Sequence, residues 1–216
     1  MQPAKTPCSD LDARRGLLLV LEGMPGTGKT TTATRLAAEG QHVVGEYVTP
    51  SGATIPVADH PPVSDDNAHQ ANWLTKHRHA AAALAAGPVF CDRDWLSALA
   101  YAASLPEGDQ LLRVRVSWAV EQLRRGQLAV ADGYLVLHLD PATSLARRSG
   151  RLTAGHPWSH LAGLARAAAF YTNPADAVAA ISPDLADALC AAAWHHLTGA
   201  TGTDIRRGLH HLAGAT

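Results

Sequence analysis

Residues 22–31 read Glu-Gly-Met-Pro-Gly-Thr-Gly-Lys-Thr-Thr and fill every position of the pattern G-x-x-x-x-G-K-[ST]. The run before them, Leu17–Leu21, is continuously apolar, which is typical of a strand buried on both faces of a parallel sheet. After them, Ala33 and Leu36 recur at helical spacing, and Gly40 stands where that helix can end. The pattern has meaning only between a strand and a helix, and this chain provides both. The segment therefore predicts an α/β fold with a phosphate-binding loop after its first strand.

The residue types of this loop suit a nucleoside triphosphate. Glycines let the backbone curl around an anion in conformations that a Cβ would obstruct. Backbone N–H groups and the positive end of the following helix then face the phosphates. Lys29 can reach the β- and γ-phosphates, and the Thr30 hydroxyl is the expected Mg²⁺ ligand. The alternative, a glycine-rich turn that binds nothing, does not explain a match at every position. The predicted triphosphate-binding residues are Gly23, Met24, Pro25, Gly26, Thr27, Gly28, Lys29, Thr30 and Thr31.

Length and composition indicate one domain of moderate size. The 216 residues suffice for a single α/β core, which we expect over residues 16–216 after a flexible tail at 1–15. The formal net charge of −1 gives no reason to expect a nucleic-acid polymer or a membrane surface as partner. No apolar stretch approaches the roughly 20 residues needed to cross a bilayer. Cys8, Cys91 and Cys190 match no metal or redox spacing, which favours a reducing, cytoplasmic setting.

Apolar and helical segments alternate along the rest of the chain. Further strands are predicted at 42–46, 89–91, 134–139 and 177–181. Helices are predicted at 67–86, 96–104, 110–125, 142–148, 159–171 and 183–197. The alternation indicates an α/β P-loop NTPase fold of three layers, a five-stranded parallel sheet with helices on both faces. The amphipathic helix at 110–125 can cover the sheet or form a homodimer interface. The proline-rich loop at 48–66 is long enough to be functional or mobile.

Asp92 and Arg93 follow the predicted strand at 89–91, at the edge of the sheet where ligands of open α/β sheets collect. A carboxylate there can hold the hydration shell of Mg²⁺, and an arginine can neutralise charge on a transferring phosphoryl group. The alternative is a surface pair that caps the next helix. Taken alone, the dipeptide favours this alternative.

The wider sequence around this pair resembles a known family. Residues 87–101, Gly-Pro-Val-Phe-Cys-Asp-Arg-Asp-Trp-Leu-Ser-Ala-Leu-Ala-Tyr, resemble the G-x-V-x-x-D-R-Y-x-x-S-x-x-A-Y stretch of thymidylate kinases. Residues 22–31 are similar to the opening of that family and of the related deoxynucleoside kinases. The run Leu-His-Leu-Asp-Pro at 137–141 and the arginines after it look like their strand and the start of their lid. The order and spacing agree over about residues 16–152.

The resemblance implies a kinase fold of five parallel strands that binds ATP and Mg²⁺, with a lid at about 147–158. The acceptor would lie across the carboxyl edge of the sheet. Asp92 and Arg93 match the family's Mg²⁺- and phosphate-handling pair. Arg147, Arg148 and Arg151 fall where lid arginines clamp the phosphates, with Arg148 on ATP. The alternative for these three residues is a basic helix end that the helix dipole favours.

The chain departs from thymidylate kinases at two places. Position 94 is Asp where they usually carry Tyr, and residues 45–47 read Gly-Glu-Tyr where they read Arg-Glu-Pro. Deoxynucleoside kinases read Glu-Pro-Val at the second place, and there the glutamate is the general base that deprotonates an acceptor hydroxyl. An already ionised phosphate needs no such base. Glu46 is therefore the candidate base for a hydroxyl acceptor, and its alternative is a glutamate that merely ends an edge strand.

The helix at 67–86 would line the acceptor pocket. Gln70, Trp73 and Arg78 are its side chains able to read a planar base or hold an anion, and Arg93 would complete the substrate site. Trp73 can equally be a core residue. If Arg78 faces the pocket, it favours a monophosphate acceptor, and if it faces solvent, it means little.

The sequence thus predicts an ATP- and Mg²⁺-dependent phosphotransferase, and the resemblance implies a nucleoside or nucleoside monophosphate as its acceptor. One alternative keeps the mechanism and places the accepting hydroxyl on a non-nucleotide metabolite, such as an antibiotic or sugar-like compound. Another is a nucleotide-binding switch that hydrolyses ATP only to change shape. Acceptor-dependent ADP formation distinguishes these alternatives. The predicted catalytic residues are Lys29, Glu46, Asp92, Arg93, Arg147 and Arg151, with Thr30 and Asp92 on Mg²⁺.

Overall fold

Five parallel strands form the sheet at the centre of the fold. The structure, a computed structural model, describes residues 16–148, 156–199 and 202–215. The strands are β1 (Leu18–Gly23), β2 (His42–Val44), β3 (Val89–Asp92), β4 (Gly133–His138) and β5 (Ala193–Thr198). They lie in the order β2-β3-β1-β4-β5, and every neighbouring pair is parallel. The predicted five-stranded parallel sheet is confirmed. The predicted tail at 1–15 lies outside the described residues, and a single domain over 16–216 stays a prediction.

Helices cover both faces of this sheet. They are α1 (Lys29–Ala38), α2 (Asp66–Ala83), α3 (Leu96–Ser104), α4 (Asp109–Arg124), α5 (Pro141–Arg147), α6 (Leu161–Thr172), α7 (Pro174–Ala179), α8 (Pro183–Ala191) and α9 (Gly202–Ala215). Leu19 and Leu21 of β1 pack with α1 and α9, whereas Leu18 and Val20 pack on the side of α2–α4 and α6–α8. Alternate residues of β1 therefore enter two separate cores, which explains its unbroken apolar run.

The amphipathic helix predicted at 110–125 forms α4 and covers the sheet. Its residues Leu112, Val116 and Ala119 are buried in the same core as Val20. The apolar face of α4 therefore covers the sheet, which is one of the two roles predicted for this helix. A homodimer remains a prediction.

The fifth strand lies elsewhere than predicted, and two predictions were wrong here. Residues 177–181 include the end of α7 instead of a strand, because Asn173 caps this helix through its side chain and Pro174 opens it. The helix predicted at 183–197 ends at Ala191, after which the chain enters β5. This strand lies at the edge of the sheet and is only partly buried, so its sequence lacks the apolar run by which strands were recognised.

The loop at 48–66 connects β2 to α2, and the beginning of this loop is held against α2. Val48 and Thr54 form an isolated antiparallel bridge that folds the loop back on itself. The Asn72 side chain of α2 accepts a hydrogen bond from Val48 N–H (3.0 Å) and donates one to the Glu46 carbonyl oxygen (2.9 Å). The segment that contains the predicted base is therefore fixed by its main chain. Among the described residues, no helix is both long and apolar enough to cross a membrane.

Candidate active site

The phosphate-binding loop follows β1 and leads into α1. Gly28 precedes α1 with a φ of 93°, in the left-handed region that favours glycine. Gly23 ends β1 with a φ of 120°, and a Cβ on it would lie 2.2 Å from the Leu137 carbonyl oxygen of β4. The turn thus requires Gly28, and the close approach of β4 requires Gly23.

Lys29, the first residue of α1, folds back over this loop. Its Nζ donates hydrogen bonds to the carbonyl oxygens of Gly23 (2.9 Å) and Met24 (2.7 Å) and to the Thr27 hydroxyl (3.1 Å). Burial, followed by repulsion from Arg93, lowers the pKa of Lys29 to about 7, although nearby carboxylates oppose this. A polyphosphate in the loop would supply negative charge that favours the ammonium form.

Thr30 and Asp92, the predicted Mg²⁺ ligands, are in contact. Asp92 is the last residue of β3 and is buried, whereas Thr30, in the first turn of α1, lines a cavity. Burial and the charge of Glu46 raise the pKa of Asp92, and a hydrogen bond from the Thr30 side chain opposes this rise. The buried Asp92 Oδ1 has no hydrogen-bond partner among the described residues. Carboxylate and hydroxyl oxygens are ligands that Mg²⁺ takes, so this pair fits a magnesium site.

Arg93 has a backbone conformation that is rare for a residue with a side chain. Its φ is 64°, the one positive φ outside glycine in the part of the chain that the structure describes. Such a conformation costs about 1–3 kcal/mol and persists only where the surroundings impose it. The Arg93 Nε lies 3.0 Å from Glu46 Oε1, and its Nη1 lies 3.6 Å from Glu22 Oε2. The guanidinium is therefore held between two carboxylates.

Glu22, to which the sequence analysis gave no role, is the centre of a buried polar network. Its fully buried carboxylate accepts hydrogen bonds from Ser97 Oγ (2.8 Å), the Tyr171 hydroxyl (2.9 Å) and the Asp94 backbone N–H (3.0 Å). The signal was present in the sequence. A glutamate directly after a buried apolar run must find its partners inside the protein.

Asp94, at the position where the resemblance would place a tyrosine, belongs to this buried layer. Its carboxylate accepts hydrogen bonds from the Leu96 backbone N–H (2.8 Å) and the Tyr134 hydroxyl (3.2 Å). Burial and the charge of Glu22 raise the pKa of Asp94. The residue does not line the cavity. Its contacts tie the start of α3 to β4.

A cavity of about 720 Å³ extends from the phosphate-binding loop to the loop at 48–66. The Glu46 side chain lines it and is 28% exposed. Burial alone would raise the pKa of Glu46, but Arg93, Lys29 and Lys76 hold it below its ordinary value. The lowered pKa favours the carboxylate form, which is the form that can accept a proton, and at the same time makes Glu46 a weaker base.

The predicted acceptor residues of α2 separate into two groups. Gln70 and Trp73 line the cavity, and Trp73 is at the same time packed into the core with 4% exposure. Arg78 is exposed and is not among the cavity-lining residues, so it offers no contact to an acceptor there. Six further side chains line the cavity without a signal in the sequence that singled them out, namely Tyr47, His60, His69, Tyr101, Trp118 and Trp158.

Arg115 of α4 and Asp66 of α2 form an ion pair in the acceptor half of the cavity. Arg115 also donates a hydrogen bond to the Ala98 carbonyl oxygen (2.8 Å), and its guanidinium lies 5.0 Å from the centre of the Tyr101 ring. These contacts neutralise and fix the arginine. Sequence reasoning missed the pair because its members are 49 residues apart.

Two of the three predicted lid arginines lie in the described part of the chain. Arg147 ends α5 and donates a hydrogen bond to the Gly26 carbonyl oxygen (3.1 Å), and both it and Arg148 line the cavity. Arg151 lies outside the described residues, as do 149–155 of the predicted lid. Arginines therefore border the phosphate-binding end of the cavity.

Comparison with known proteins agrees with this architecture. A family model described as an AAA domain matches residues 18–151, which is more than half of the chain. No curated protein matches the chain. Among solved structures, the thymidylate kinase of Candida albicans matches with a TM-score of 0.56 and 17% sequence identity. The match covers 93% of this chain and 92% of that enzyme. The chain therefore belongs to the AAA domain family, and its fold is that of a P-loop kinase of the thymidylate kinase type.

Proposed function

We propose that the protein is an ATP- and Mg²⁺-dependent kinase that transfers the γ-phosphoryl group of ATP to a hydroxyl of a small molecule, with a nucleoside as the favoured acceptor. The observation that carries this proposal is the position of the Glu46 carboxylate in the cavity wall, 3.0 Å from Arg93. The phosphate-binding loop lines the same cavity. One space can therefore receive a triphosphate and an alcohol together, which is the positioning that phosphoryl transfer requires.

On the donor side, the loop and its lysine would bind the triphosphate. Thr30 and Asp92 would hold Mg²⁺, which would neutralise charge on the phosphate oxygens when bound. Arg147 and Arg148 line the cavity beside the loop and supply further positive charge at the donor end. Lys29 would exchange its contacts with loop carbonyls for contacts with phosphate.

On the acceptor side, Glu46 would take the proton of the attacking hydroxyl. The hydroxyl oxygen forms a bond to the γ-phosphorus, the bond from that phosphorus to the β–γ bridging oxygen breaks, and ADP leaves. Arg93 contacts Glu46 and would orient the base while its charge stabilises the transferring phosphoryl group. These roles account for a glutamate and an arginine at the ends of neighbouring strands.

A nucleoside monophosphate is the weaker acceptor candidate because its phosphate needs a cation. Arg93 is already bracketed by Glu46 and Glu22, and Arg115 is paired with Asp66. The acceptor half of the cavity therefore offers an uncharged hydroxyl compound a better match than a dianion. Gln70 and Trp73, with the other aromatic side chains of the wall, suit a planar base.

A hydroxylated metabolite of another class remains the alternative acceptor. Val57 and Val63 of the loop at 48–66 are exposed and line the cavity, so its mouth can also receive an apolar group. A switch that only hydrolyses ATP would need no base opposite the phosphate-binding loop. Acceptor-dependent turnover separates these functions.

The test measures ADP release from Mg²⁺-ATP against nucleosides, nucleoside monophosphates, and hydroxylated antibiotics and sugars. Lys29→Ala is expected to abolish turnover, and Glu46→Gln is expected to reduce kcat at least 100-fold, within the range for loss of a general base. Glu107→Gln, at an exposed glutamate outside the cavity, is the matched control and should retain full activity.

Each outcome identifies one function. Turnover with a nucleoside that depends on Glu46 supports the proposal, and turnover with another alcohol supports the metabolite kinase. Turnover with a monophosphate in an active Glu46→Gln variant would make the protein a nucleotide kinase without a glutamate base. ADP release that no acceptor raises above its basal rate would contradict all kinase assignments.

A further inference from the structure

Lys76 is a charged residue buried in the middle of α2. Its side chain is 1% exposed, and it is not among the residues that line the cavity. Its Nζ donates hydrogen bonds to the carbonyl oxygens of Asp92 (2.7 Å), Arg93 (2.9 Å) and Glu46 (3.2 Å). Among the described residues it forms no ion pair with a carboxylate. A buried cation is thus held by main-chain oxygens of three proposed site residues.

The contacts of Lys76 use every N–H donor that an ammonium group has. An ammonium group has three N–H donors, and each one meets a carbonyl oxygen, whereas a neutral amine has only two. The Trp73 ring lies 5.4 Å from Nζ and adds a favourable contact for a cation. Burial nevertheless lowers the pKa of Lys76. The hydrogen bonds therefore support a charge that burial opposes.

These three carbonyls belong to the ends of β2 and β3. Glu46 follows β2, Asp92 ends β3 and Arg93 comes directly after it, so the ammonium group connects the two strand ends. The Arg93 carbonyl reaches Lys76 while the residue has its left-handed φ of 64°. Removal of the ammonium group would take away a contact that stabilises this rare conformation.

We propose that Lys76 is a positioning residue that sets the relative placement of the Glu46 carboxylate and the Arg93 guanidinium by binding their main-chain carbonyls. The inference rests on the proposed function, since it assigns these two side chains to one transfer reaction. Lys76 itself touches neither ATP nor acceptor. Its loss would let both strand ends shift while the phosphate-binding loop stays intact.

The test compares Lys76→Met, which keeps the length of the side chain without its charge, with the wild-type protein. Displacement of catalytic groups by about 1 Å can cost about 100-fold, so kcat is expected to fall by about that factor. The KM for ATP should change less than kcat because Lys76 makes no contact with the phosphate-binding loop. Arg78→Met, two residues along α2 at an exposed position, is the matched control and should behave as wild type.

A pH profile tests whether the charge of Lys76 reaches Glu46. Glu46 is surrounded by Arg93, Lys29, Lys76 and His60, all of which lower its pKa against the effect of burial. Loss of Lys76 removes one of these cations, so the acid limb of the kcat profile should move to higher pH. An unchanged limb would show that Lys76 does not act on Glu46.

Folding of each variant is checked by circular dichroism and thermal unfolding. If Lys76→Met does not fold, Lys76→Gln decides, because its shorter, uncharged amide cannot supply three donors to the three carbonyls and kcat should again fall. Wild-type kcat and pH profile in a folded variant would overturn the inference, and so would unfolding of both variants, which would assign Lys76 to stability alone. An inactive wild-type protein would instead refute the proposed function.

Discussion

The buried carboxylate of Glu22 allows a quantitative test of how the site is held together. Glu22→Gln keeps the shape of the side chain but removes its charge and replaces one acceptor oxygen with an NH₂ donor. The Asp94 N–H donates to Oε1, whereas the Gly23 N–H donates to Oε2 (3.3 Å) and the Arg93 guanidinium lies on the same side. The hydroxyls of Ser97 and Tyr171 can rotate to become acceptors, but N–H groups cannot. Either orientation of the amide therefore places two donors face to face.

The expected cost follows from these contacts. Loss of hydrogen bonds to a charged acceptor costs about 1.5–3 kcal/mol, and a buried donor left without an acceptor adds about 1–3 kcal/mol. Relief of the repulsion between Glu22 and Asp94, which contributes to the raised pKa of Asp94, opposes this loss. We expect a net destabilisation of about 3 kcal/mol, a large part of the stability of an ordinary domain. For a chain of this size, this corresponds to a fall in Tm of about 6–12 °C.

Urea unfolding measures this change directly. The midpoint should fall in Glu22→Gln while the slope m stays constant, because the folded state retains its compactness. Glu107→Gln, an exposed change of the same type, should stay within about 0.5 kcal/mol of the wild type. A loss below about 1 kcal/mol in Glu22→Gln would refute the view that Glu22 is the acceptor on which the network depends.

Two further predictions concern single side chains of the cavity. Because the pKa of Lys29 is lowered from 10.5 to about 7, the unfolded chain binds the additional proton between these values. The free energy of unfolding of the wild type, measured relative to Lys29→Met, should therefore rise from pH 7 towards pH 10, and a constant difference would contradict the shift. Arg115→Met leaves Asp66 unpaired and should raise the KM for the acceptor about tenfold, a loss of about 1.4 kcal/mol, without changing the KM for ATP. Equal changes in both KM values would place Arg115 outside the acceptor site.

Local pattern was enough to predict the centre of the fold. The apolar run of β1, the glycine-rich loop and the helical spacing after it lie within 25 residues, and each follows from short-range rules. The meeting of Glu46, Asp92 and Arg93 could also be predicted, because the carboxyl ends of parallel strands share one edge of the sheet. Their spacing and charge balance required the structure.

Contacts between distant elements could not be predicted from pattern. Lys76 and Arg78 lie two residues apart in α2, yet one is buried against strand ends and the other is exposed. At about 100° per residue, two positions apart means nearly opposite faces of the helix, and the mixed sequence of α2 does not reveal which face is inside. β5 was missed for a related reason, since an edge strand needs only part of its surface to be apolar.

The ion pair at the acceptor end makes the two ends of the cavity differ in the positive charge that they offer to a ligand. Arg147, Arg148 and a glycine-rich turn stand at one end, and at the other end Arg115 is already paired with Asp66. A polyanion gains energy on moving towards the first end and loses it on moving towards the second. If ATP and the acceptor both contain a nucleoside, the negative charge of the triphosphate distinguishes them before either base is bound. ATP would then bind at the end of the cavity with the phosphate-binding loop, and the aromatic side chains that line the cavity would select among acceptors.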